Sequence, residues 1–361
     1  MPSRRKSDLK LGDHAWGTMC DDELTVGATH DESINTRIAQ LQAELATANL
    51  NIERAFSRIS RLEQRVSQGW LRSKLSQKMM VYEQHAPRTL KIPPSYYDVV
   101  LPDPAPRIAI VTPSFNQSRF LGATIESVLG QGYPNVVYHV QDGGSTDNTS
   151  NLLERLGPAL TWESVPDRGQ ANAVNRGFSS IVGDVMSYLN SDDLLIPGTL
   201  AYVARFFSAN PNVDVVYGHR IFIDADSREI GRAVLPPHDS KALKWFDYVP
   251  QESLFWRRRV WTALNGLDEN FHFAMDWDFI LRAQEAGFKF RRLPRFLGCF
   301  RVHNQQKSTT IKDIGSKEMA VLKQRYLGHV PSDLESEKKM KSYLFRHVIV
   351  HRLYKSRVLK Y

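Results

Sequence analysis

The sequence predicts an α/β fold in which a mostly parallel sheet carries helices on both faces. Short apolar runs of the buried-strand type alternate with helical stretches between residues 107 and 312, and this alternation is typical of right-handed βαβ units. Three of the strand runs end in clusters of polar residues. Because open α/β sheets bind ligands beyond the carboxyl ends of their strands, these clusters predict where the chemistry takes place.

The predicted elements follow one another in a regular order. The strand runs are Ile108–Thr112, Val136–Val140, Val185–Leu189 and Val213–Tyr217. The helical stretches are Phe120–Leu129, Asp147–Leu156, Gln170–Ser179 and Gly198–Ser208. Pro197 stands near the first turn of the last helix, a position that proline favours. Residues 69–106 end in the proline-rich stretch IPPSYYDVVLPDPAP and are predicted to be a linker that leads into this domain.

The N-terminal extension contains a heptad repeat. Residues 1–33 are polar and lack hydrophobic periodicity, which predicts disorder. In residues 34–68, apolar side chains recur every seven positions in two series, Ile38, Leu45, Ile52, Ile59, Val66 and Ile34, Leu41, Ala48, Ala55, Leu62. This seam predicts a coiled-coil helix, and its β-branched residues favour a two-stranded parallel homo-oligomer formed through residues 34–66. The alternative is an amphipathic helix packed on the chain's own core.

The C-terminal extension, residues 313–361, is predicted to be a basic helical tail. Residues 338–361 contain eight Lys or Arg and no acid, and without them 39 basic residues balance 39 acidic ones. A neutral body argues against nucleic acid as a partner. The tail has apolar residues at helical spacing among its cations, namely Leu344, Phe345, Val348, Ile349 and Leu353. This pattern predicts an amphipathic helix at an anionic membrane surface, and the alternative is a helix docked on the body.

Cysteine content and hydropathy predict the compartment. Cys20 and Cys299 are too few for a disulfide framework and suit a reducing environment. The sequence has no run of 18 apolar residues, and its first residues lack the apolar segment of a secretory signal. We therefore expect a cytoplasmic protein that does not span the membrane and that touches its inner face through the tail.

The polar clusters at the strand ends contain the candidate chemistry. Gly143 and Gly144 allow a ligand to approach the backbone closely, and the Asp142 carboxylate can accept hydrogen bonds from a base or a ribose. The alternative for this segment is a turn with a helix cap. The adjacent carboxylates of Asp192 and Asp193 repel each other unless a cation or hydrogen bonds compensate. Oxygen ligands of this kind suit Mg²⁺ or Mn²⁺ bridging to a diphosphate.

Several motifs occur in an order that resembles family 2 glycosyltransferases. They are Val111-Thr-Pro-Ser-Phe-Asn116, Asp142-Gly-Gly-Ser-Thr-Asp147, Asp167-Arg-Gly-Gln170, Leu189-Asn-Ser-Asp-Asp193, Asn265-Gly-Leu-Asp-Glu269, Ala274-Met-Asp-Trp-Asp-Phe279 and Phe300-Arg-Val-His303. The resemblance covers about residues 107–310. It implies a GT-A fold, a nucleotide-sugar donor with a UDP-sugar as the expected class, a divalent cation (Mn²⁺ or Mg²⁺) and inversion at the anomeric carbon.

The resemblance also implies roles for residues on the donor side. Pro113, Asn116 and Asp142 correspond to the nucleoside pocket, with Asp142 facing the base. Arg168 corresponds to a residue that faces the nucleotide or its phosphates. In the segment that matches the family's DXD element, Asp193 corresponds to the metal ligand and Asp192 to a ligand of the ribose or the metal. This sequence departs from the family at Asn190, where the element usually has its first acid.

On the acceptor side, the resemblance places Asp276 at the general base, with Asp278 as the second candidate. The alternative is that this acid pair caps the start of a helix. His303 corresponds to a segment that closes over the diphosphate, as a metal or phosphate contact, although an isolated histidine is often structural. The expected acceptor is a hydroxyl of a glycan or a lipid-linked molecule. Two other functions stay open, namely an inactive scaffold acting through the coiled coil and the tail, and a nucleotidyltransferase.

Overall fold

The structure, a computed structural model, describes residue 40, residues 83–304, residue 306 and residues 312–361. The strands are β1 (Glu83–Arg88), β2 (Ile108–Ser114), β3 (Val136–Asp142), β4 (Thr161–Ser164), β5 (Val185–Tyr188), β6 (Leu194–Leu195), β7 (Val215–Ile223), β8 (Glu229–Ala233), β9 (Phe255–Arg257) and β10 (Phe290–Arg301). The helices are α1 (Ser118–Leu129), α2 (Thr149–Arg155), α3 (Gln170–Ser180), α4 (Thr199–Ala209), α5 (Ser240–Leu243), α6 (Arg258–Leu264), α7 (Met275–Glu285), α8 (Lys312–Leu327) and α9 (Asp333–Lys355).

All the strands join one mixed sheet with the order β1-β8-β7-β9-β5-β2-β3-β4, and β10 lies beside β7 with β6 beside β10. The strands β4, β3, β2 and β5 are parallel to one another. The strand β10 is parallel to β7, whereas β1, β6, β8 and β9 make antiparallel contacts. The sequence-based strands and helices of the body are therefore present, and Val213–Tyr217 continues as β7 to Ile223.

Two apolar cores cover the two faces of the sheet. Ile108 and Ile110 of β2 pack in the core that contains side chains of α1, α2 and α4. Ala109 and Val111 of the same strand belong to the core on the other face, which contains side chains of α3, α7, α8 and α9. This alternation follows from the two-residue period of a strand, and β2 is buried along its whole length because both faces are covered.

The segment predicted as a linker contributes to the fold from residue 83 onward. The strand β1 pairs with β8, and the Glu229 side chain of β8, which is 1% exposed, pairs with Arg88 of β1 and Arg232. Tyr96 is 3% exposed, and its carbonyl oxygen would lie 1.8 Å from a Cβ at Gly198. The prolines that made this stretch resemble a linker lie on both sides of the buried Tyr96, Pro93 and Pro94 after β1 and Pro102, Pro104 and Pro106 before β2.

The C-terminal helix α9 packs against the body. Met340 and Tyr343 are buried in the core on the α3 and α7 face, Val350 is buried as well, and Arg346 forms an ion pair with Asp239. This arrangement corresponds to the docked alternative for the tail. The residues proposed for the membrane-facing side are half-buried; they are Leu344, Phe345, Val348, Ile349 and Leu353. Membrane attachment therefore stays a prediction.

Among the described residues, no helix is long and apolar enough to cross a membrane. The coiled coil predicted for residues 34–68 lies outside the described residues, apart from residue 40, and stays a prediction.

Candidate active site

The loops after β2 and β3 are bound together at the carboxyl edge of the sheet. The backbone N–H of Gly143 donates to the Ser114 carbonyl over 2.8 Å. Asn116 adopts a left-handed φ of 53°, which lets its side-chain oxygen accept from the Thr146 N–H over 2.9 Å while its own N–H donates to Ser145 Oγ over 2.7 Å. The two segments predicted to form the nucleoside pocket therefore lie side by side.

The buried side chain of Asp142 holds the loop after β3 in place through hydrogen bonds. Its carboxylate is 0% exposed. One oxygen accepts from the Ser145 N–H over 2.8 Å and from Ser164 Oγ over 2.6 Å, and the other accepts from Ser145 Oγ over 2.5 Å. Pro113 is likewise buried, inside β2 and opposite Gln141. Contact of Asp142 with a nucleobase stays a prediction, because all of these bonds hold its carboxylate within the protein.

Asp147 holds the start of the helix that follows this loop. Asp147 accepts from the Thr149 N–H at the start of α2 over 3.0 Å and from the Ser118 N–H at the start of α1 over 2.9 Å. One carboxylate thereby satisfies orphan donors of two helices, which fixes the spacing of the two loops.

Arg168 lies at the same edge, just before α3. Its side chain is 76% exposed and donates to Glu269 over 2.6 Å. Asn172 and Asn175 of α3 also donate to the Glu269 carboxylate, over 3.0 and 3.1 Å. The Asn-Gly-Leu-Asp-Glu motif is therefore joined to the Asp-Arg-Gly-Gln motif, and the guanidinium is accessible to a ligand.

The acid pair in the turn between β5 and β6 divides into an inner and an outer carboxylate. Asp193 is 1% exposed and accepts from the Arg301 N–H over 2.9 Å. Burial raises the pKa of Asp193 well above its ordinary value, and the neighbouring charge of Asp192 raises it further. The Asp192 side chain is 19% exposed, and its carboxylate lies 3.0 Å from Nε2 of His303. The geometry thus favours Asp192 over Asp193 as the residue that faces a ligand.

Asp192 supplies the carboxylate oxygen that Mg²⁺ and Mn²⁺ prefer, and His303 adds an imidazole nitrogen, a ligand type better suited to Mn²⁺ than to the harder Mg²⁺. Within the described part of the chain, no three His, Cys, Asp or Glu side chains are grouped so that they could hold a metal ion. Two protein ligands still fit such a cation, because Mg²⁺ is commonly held by one or two side chains together with substrate phosphates. Lys307 and Ser308, which follow His303 in the same segment, lie outside the described residues.

The two candidate bases at the start of α7 have different surroundings. Asp276 is partly exposed and accepts from the backbone N–H of Trp277 over 2.9 Å. Asp278 is 0% exposed and is paired with Arg282 over 2.6 Å and with Arg325 over 3.0 Å. The geometry therefore argues against Asp278 as the base, because its carboxylate is enclosed in an ion pair that ties α7 to α8.

Trp256 and Trp277, the tryptophans that border the acceptor motifs, are core residues. Trp256 is 0% exposed and Trp277 is 2% exposed. The Trp277 indole N–H donates to the Leu243 carbonyl over 2.8 Å.

Two residues that the sequence did not single out lie near the acids. Tyr188, at the end of β5, is 2% exposed. Burial raises the pKa of its hydroxyl, and the next causes are the charges of three carboxylates, those of Asp276, Asp247 and Asp193. Burial and the charge of Asp276 also raise the pKa of Asp247. No spacing or motif identifies Asp247, and only the fold brings this acid toward Asp276.

Comparison with known proteins gives the family. The family model described as glycosyl transferase family 2 matches residues 109–275. An uncharacterized glycosyltransferase of Mycobacterium tuberculosis is 31% identical over 186 residues, which are 50% of this chain and 69% of that protein. The chain belongs to glycosyl transferase family 2. This glycosyltransferase carries its candidate donor residues within the matched segment, whereas Asp276 and His303 follow it.

Solved structures agree with this fold. TarS of S. aureus, solved in complex with UDP-GlcNAc, has a TM-score of 0.51 at 15% identity, covering 67% of this glycosyltransferase and 73% of TarS. The mannosyltransferase PcManGT of Pyrobaculum calidifontis, solved with GDP-Man and Mn²⁺, has a TM-score of 0.50 at 17% identity, covering 76% and 75% of the two chains. At these identities the likeness shows the GT-A fold alone.

Proposed function

We propose that this glycosyltransferase transfers a sugar, with inversion, from a nucleotide diphosphate donor to a hydroxyl of a glycan or lipid-linked acceptor. A UDP-sugar is the first donor to test. The observation that carries the proposal is that the start of α3 contacts both sides of the candidate site. The Gln170 side chain donates to the Asn190 side chain, just before the acid pair, over 2.6 Å, and a Cβ at Gly169 would lie 3.2 Å from the His272 ring, in the segment just before Asp276. Two acids in separate roles at one site are what a single displacement requires.

On the donor side, Asn116, Asp142 and Arg168 would bind the nucleotide. The loop that Asp142 holds would present Gly143 and the neighbouring Asn116 segment to the nucleotide. Arg168 would offer an exposed cation to the phosphates. Asp192 and His303 would hold Mn²⁺ or Mg²⁺. When bound there, the cation would neutralise negative charge on the departing diphosphate.

On the acceptor side, Asp276 would take the proton of the attacking hydroxyl. The acceptor oxygen forms a bond to the anomeric carbon, the bond from that carbon to the diphosphate oxygen breaks, and the proton goes to the Asp276 carboxylate. Attack on the face opposite the leaving group inverts the anomeric configuration.

A reducing compartment suits the chain, because Cys299 is a buried free thiol, and we place the reaction in the cytoplasm.

The test is a panel of UDP-sugars and GDP-sugars incubated with the full chain and Mn²⁺. We expect one donor to be hydrolysed slowly and to release a nucleoside diphosphate. A parallel incubation with nucleoside triphosphates and sugar 1-phosphates tests the alternative, because release of pyrophosphate from the triphosphate would identify a nucleotidyltransferase. The anomeric configuration of the first sugar product, measured by NMR, decides between inversion and retention. If no donor in the panel is turned over or bound, the proposal is wrong.

A further inference from the structure

The turn that carries Asp192 and Asp193 is supported from two sides. On one side, Thr124 of α1 places its hydroxyl 2.8 Å from the carbonyl oxygens of both Ser191 and Asp193. On the other side lies Arg301, the last residue of β10, which is 1% exposed. A buried guanidinium is costly unless its donors are satisfied in a fixed geometry, so its partners indicate what it holds in place.

Arg301 binds the turn and a second loop at the same time. Its Nε donates to the Asp192 carbonyl over 2.7 Å, and its own backbone N–H donates to the Asp193 carboxylate over 2.9 Å. Its Nη1 donates to the Asp224 carbonyl over 3.0 Å and to Ser227 Oγ over 2.9 Å. Asp224 and Ser227 belong to the loop between β7 and β8. The Arg301 guanidinium therefore ties the acid-pair turn to the β7–β8 loop, and these two segments are separate in sequence.

The same residue is linked to the position of His303. The guanidinium carbon of Arg301 lies 5.0 Å from the centre of the Phe120 ring, and the His303 ring lies 4.6 Å from that centre. His303 follows Arg301 by two residues, and its Nε2 meets the Asp192 carboxylate. Arg301 therefore holds the backbone of Asp192. It also packs beside the Phe120 ring, which contacts the His303 ring.

We propose that Arg301 is a positioning residue that keeps Asp192 and His303 in the mutual geometry needed to bind a divalent cation. The proposal rests on the proposed function as far as the cation is concerned. The guanidinium acts through the carbonyl groups of Asp192 and Asp224 and through the Ser227 hydroxyl. Lysine keeps the charge, but the three donors of its ammonium lie at one point and lack the planar fork by which the guanidinium reaches two loops.

The chain offers a matched control on the same strand. Arg295 is 9% exposed, and its Nη2 donates to the Tyr96 carbonyl over 2.9 Å. Its guanidinium carbon lies 3.8 Å from the Tyr96 ring centre. Arg295→Lys thus removes another buried fork from β10 without touching the acid-pair turn. Ser227→Ala is a milder second variant, because it removes one hydrogen bond of Arg301 and leaves the arginine in place.

The experiment measures Mn²⁺ binding and local opening in the full chain. Mn²⁺ alone is titrated and its free form is followed by electron paramagnetic resonance, while hydrogen exchange reports on the turn around Asp193 and on the segment around Tyr96. We expect Arg301→Lys to weaken Mn²⁺ binding by about tenfold or more and to speed exchange in the turn. Ser227→Ala should do the same to a smaller extent. Arg295→Lys should speed exchange near Tyr96 and leave Mn²⁺ affinity unchanged.

The two readouts separate the possible failures. Unchanged exchange in the turn and unchanged Mn²⁺ affinity in Arg301→Lys would overturn the positioning role. If Arg301→Lys does not fold, normal behaviour of Ser227→Ala in both measurements overturns it instead. If the unmodified protein binds no Mn²⁺ at millimolar concentration, either alone or with UDP or GDP present, the metal-assisted function is wrong, and exchange in the turn still decides whether Arg301 holds it.

Discussion

Replacing Asp276 by asparagine tests the assignment of the general base. The change preserves the shape of the side chain, and the amide oxygen can still accept the Trp277 N–H that Asp276 accepts over 2.9 Å. Because Asp276 is partly exposed, the fold should lose little stability. The proton acceptor is lost, however, and general base catalysis contributes about 10²- to 10⁴-fold, or about 2.7 to 5.4 kcal/mol of the barrier.

The assay compares nucleoside diphosphate release by Asp276→Asn and Asp278→Asn with the donor that the panel identifies. We expect kcat of Asp276→Asn to fall within that range while donor affinity, measured by calorimetry, stays nearly unchanged. Asp278→Asn should lower the unfolding temperature, because Arg282 and Arg325 lose their buried partner, and folded molecules should keep turnover within a few-fold. The reverse pattern, with activity lost only in Asp278→Asn, would refute this reading of the site.

Four further predictions concern the acid pair and the two extensions. Asp192→Asn should abolish the stimulation of donor turnover by Mn²⁺, and a variant that Mn²⁺ still stimulates as strongly as the parent would contradict this. Burial raises the pKa of Asp193 above its ordinary 3.8, so ionisation of this carboxyl lowers the stability of the fold as the pH rises above about 4. Asp193→Asn should therefore unfold at a higher temperature than the parent at pH 8 and at a similar temperature near pH 4. An unfolding temperature below that of the parent at pH 8 would be evidence against this. A chain shortened to begin near residue 70 should sediment as a smaller oligomer than the full chain, unless residues 34–66 pack locally, in which case the masses per particle agree. Liposome binding, if the tail provides it, should need anionic lipid, weaken with salt and vanish when residues 338–361 are deleted; binding that ignores lipid charge would exclude the tail as the anchor.

The parallel centre of the fold was predictable because its strands and helices have clear periods. Ile108–Thr112 is an apolar run flanked by polar segments, and α3 begins after the Gly169 that the sequence marks. The segment before residue 107 was not predictable in the same way. Its prolines indicate a linker, and only pairing with β8, which lies more than a hundred residues later, makes residues 83–88 a strand.

The site was predictable in its location more than in its geometry. The order of motifs identifies Asp142, Asp192 and Asp193 as one cluster, but sequence cannot tell an enclosed carboxylate from an accessible one. Asp193 is buried, and its carboxylate accepts from the Arg301 N–H of β10, a contact between residues far apart in the chain. Asp247 was missed for the same physical reason, since it has no motif and acquires its neighbours only in the folded protein.

The edge strand β1 bears on how far this enzyme can be shortened. The family segment begins at residue 109, which suggests that a fragment starting there is a complete catalytic body. Such a fragment would lose β1, and Glu229 would lose two of its partners, the His85 imidazole and the Arg88 guanidinium. A carboxylate that is 1% exposed would keep Arg232 alone, and β8 would become an open edge that invites pairing between chains. Insolubility of that fragment would therefore indicate a missing strand and carry no information about catalysis.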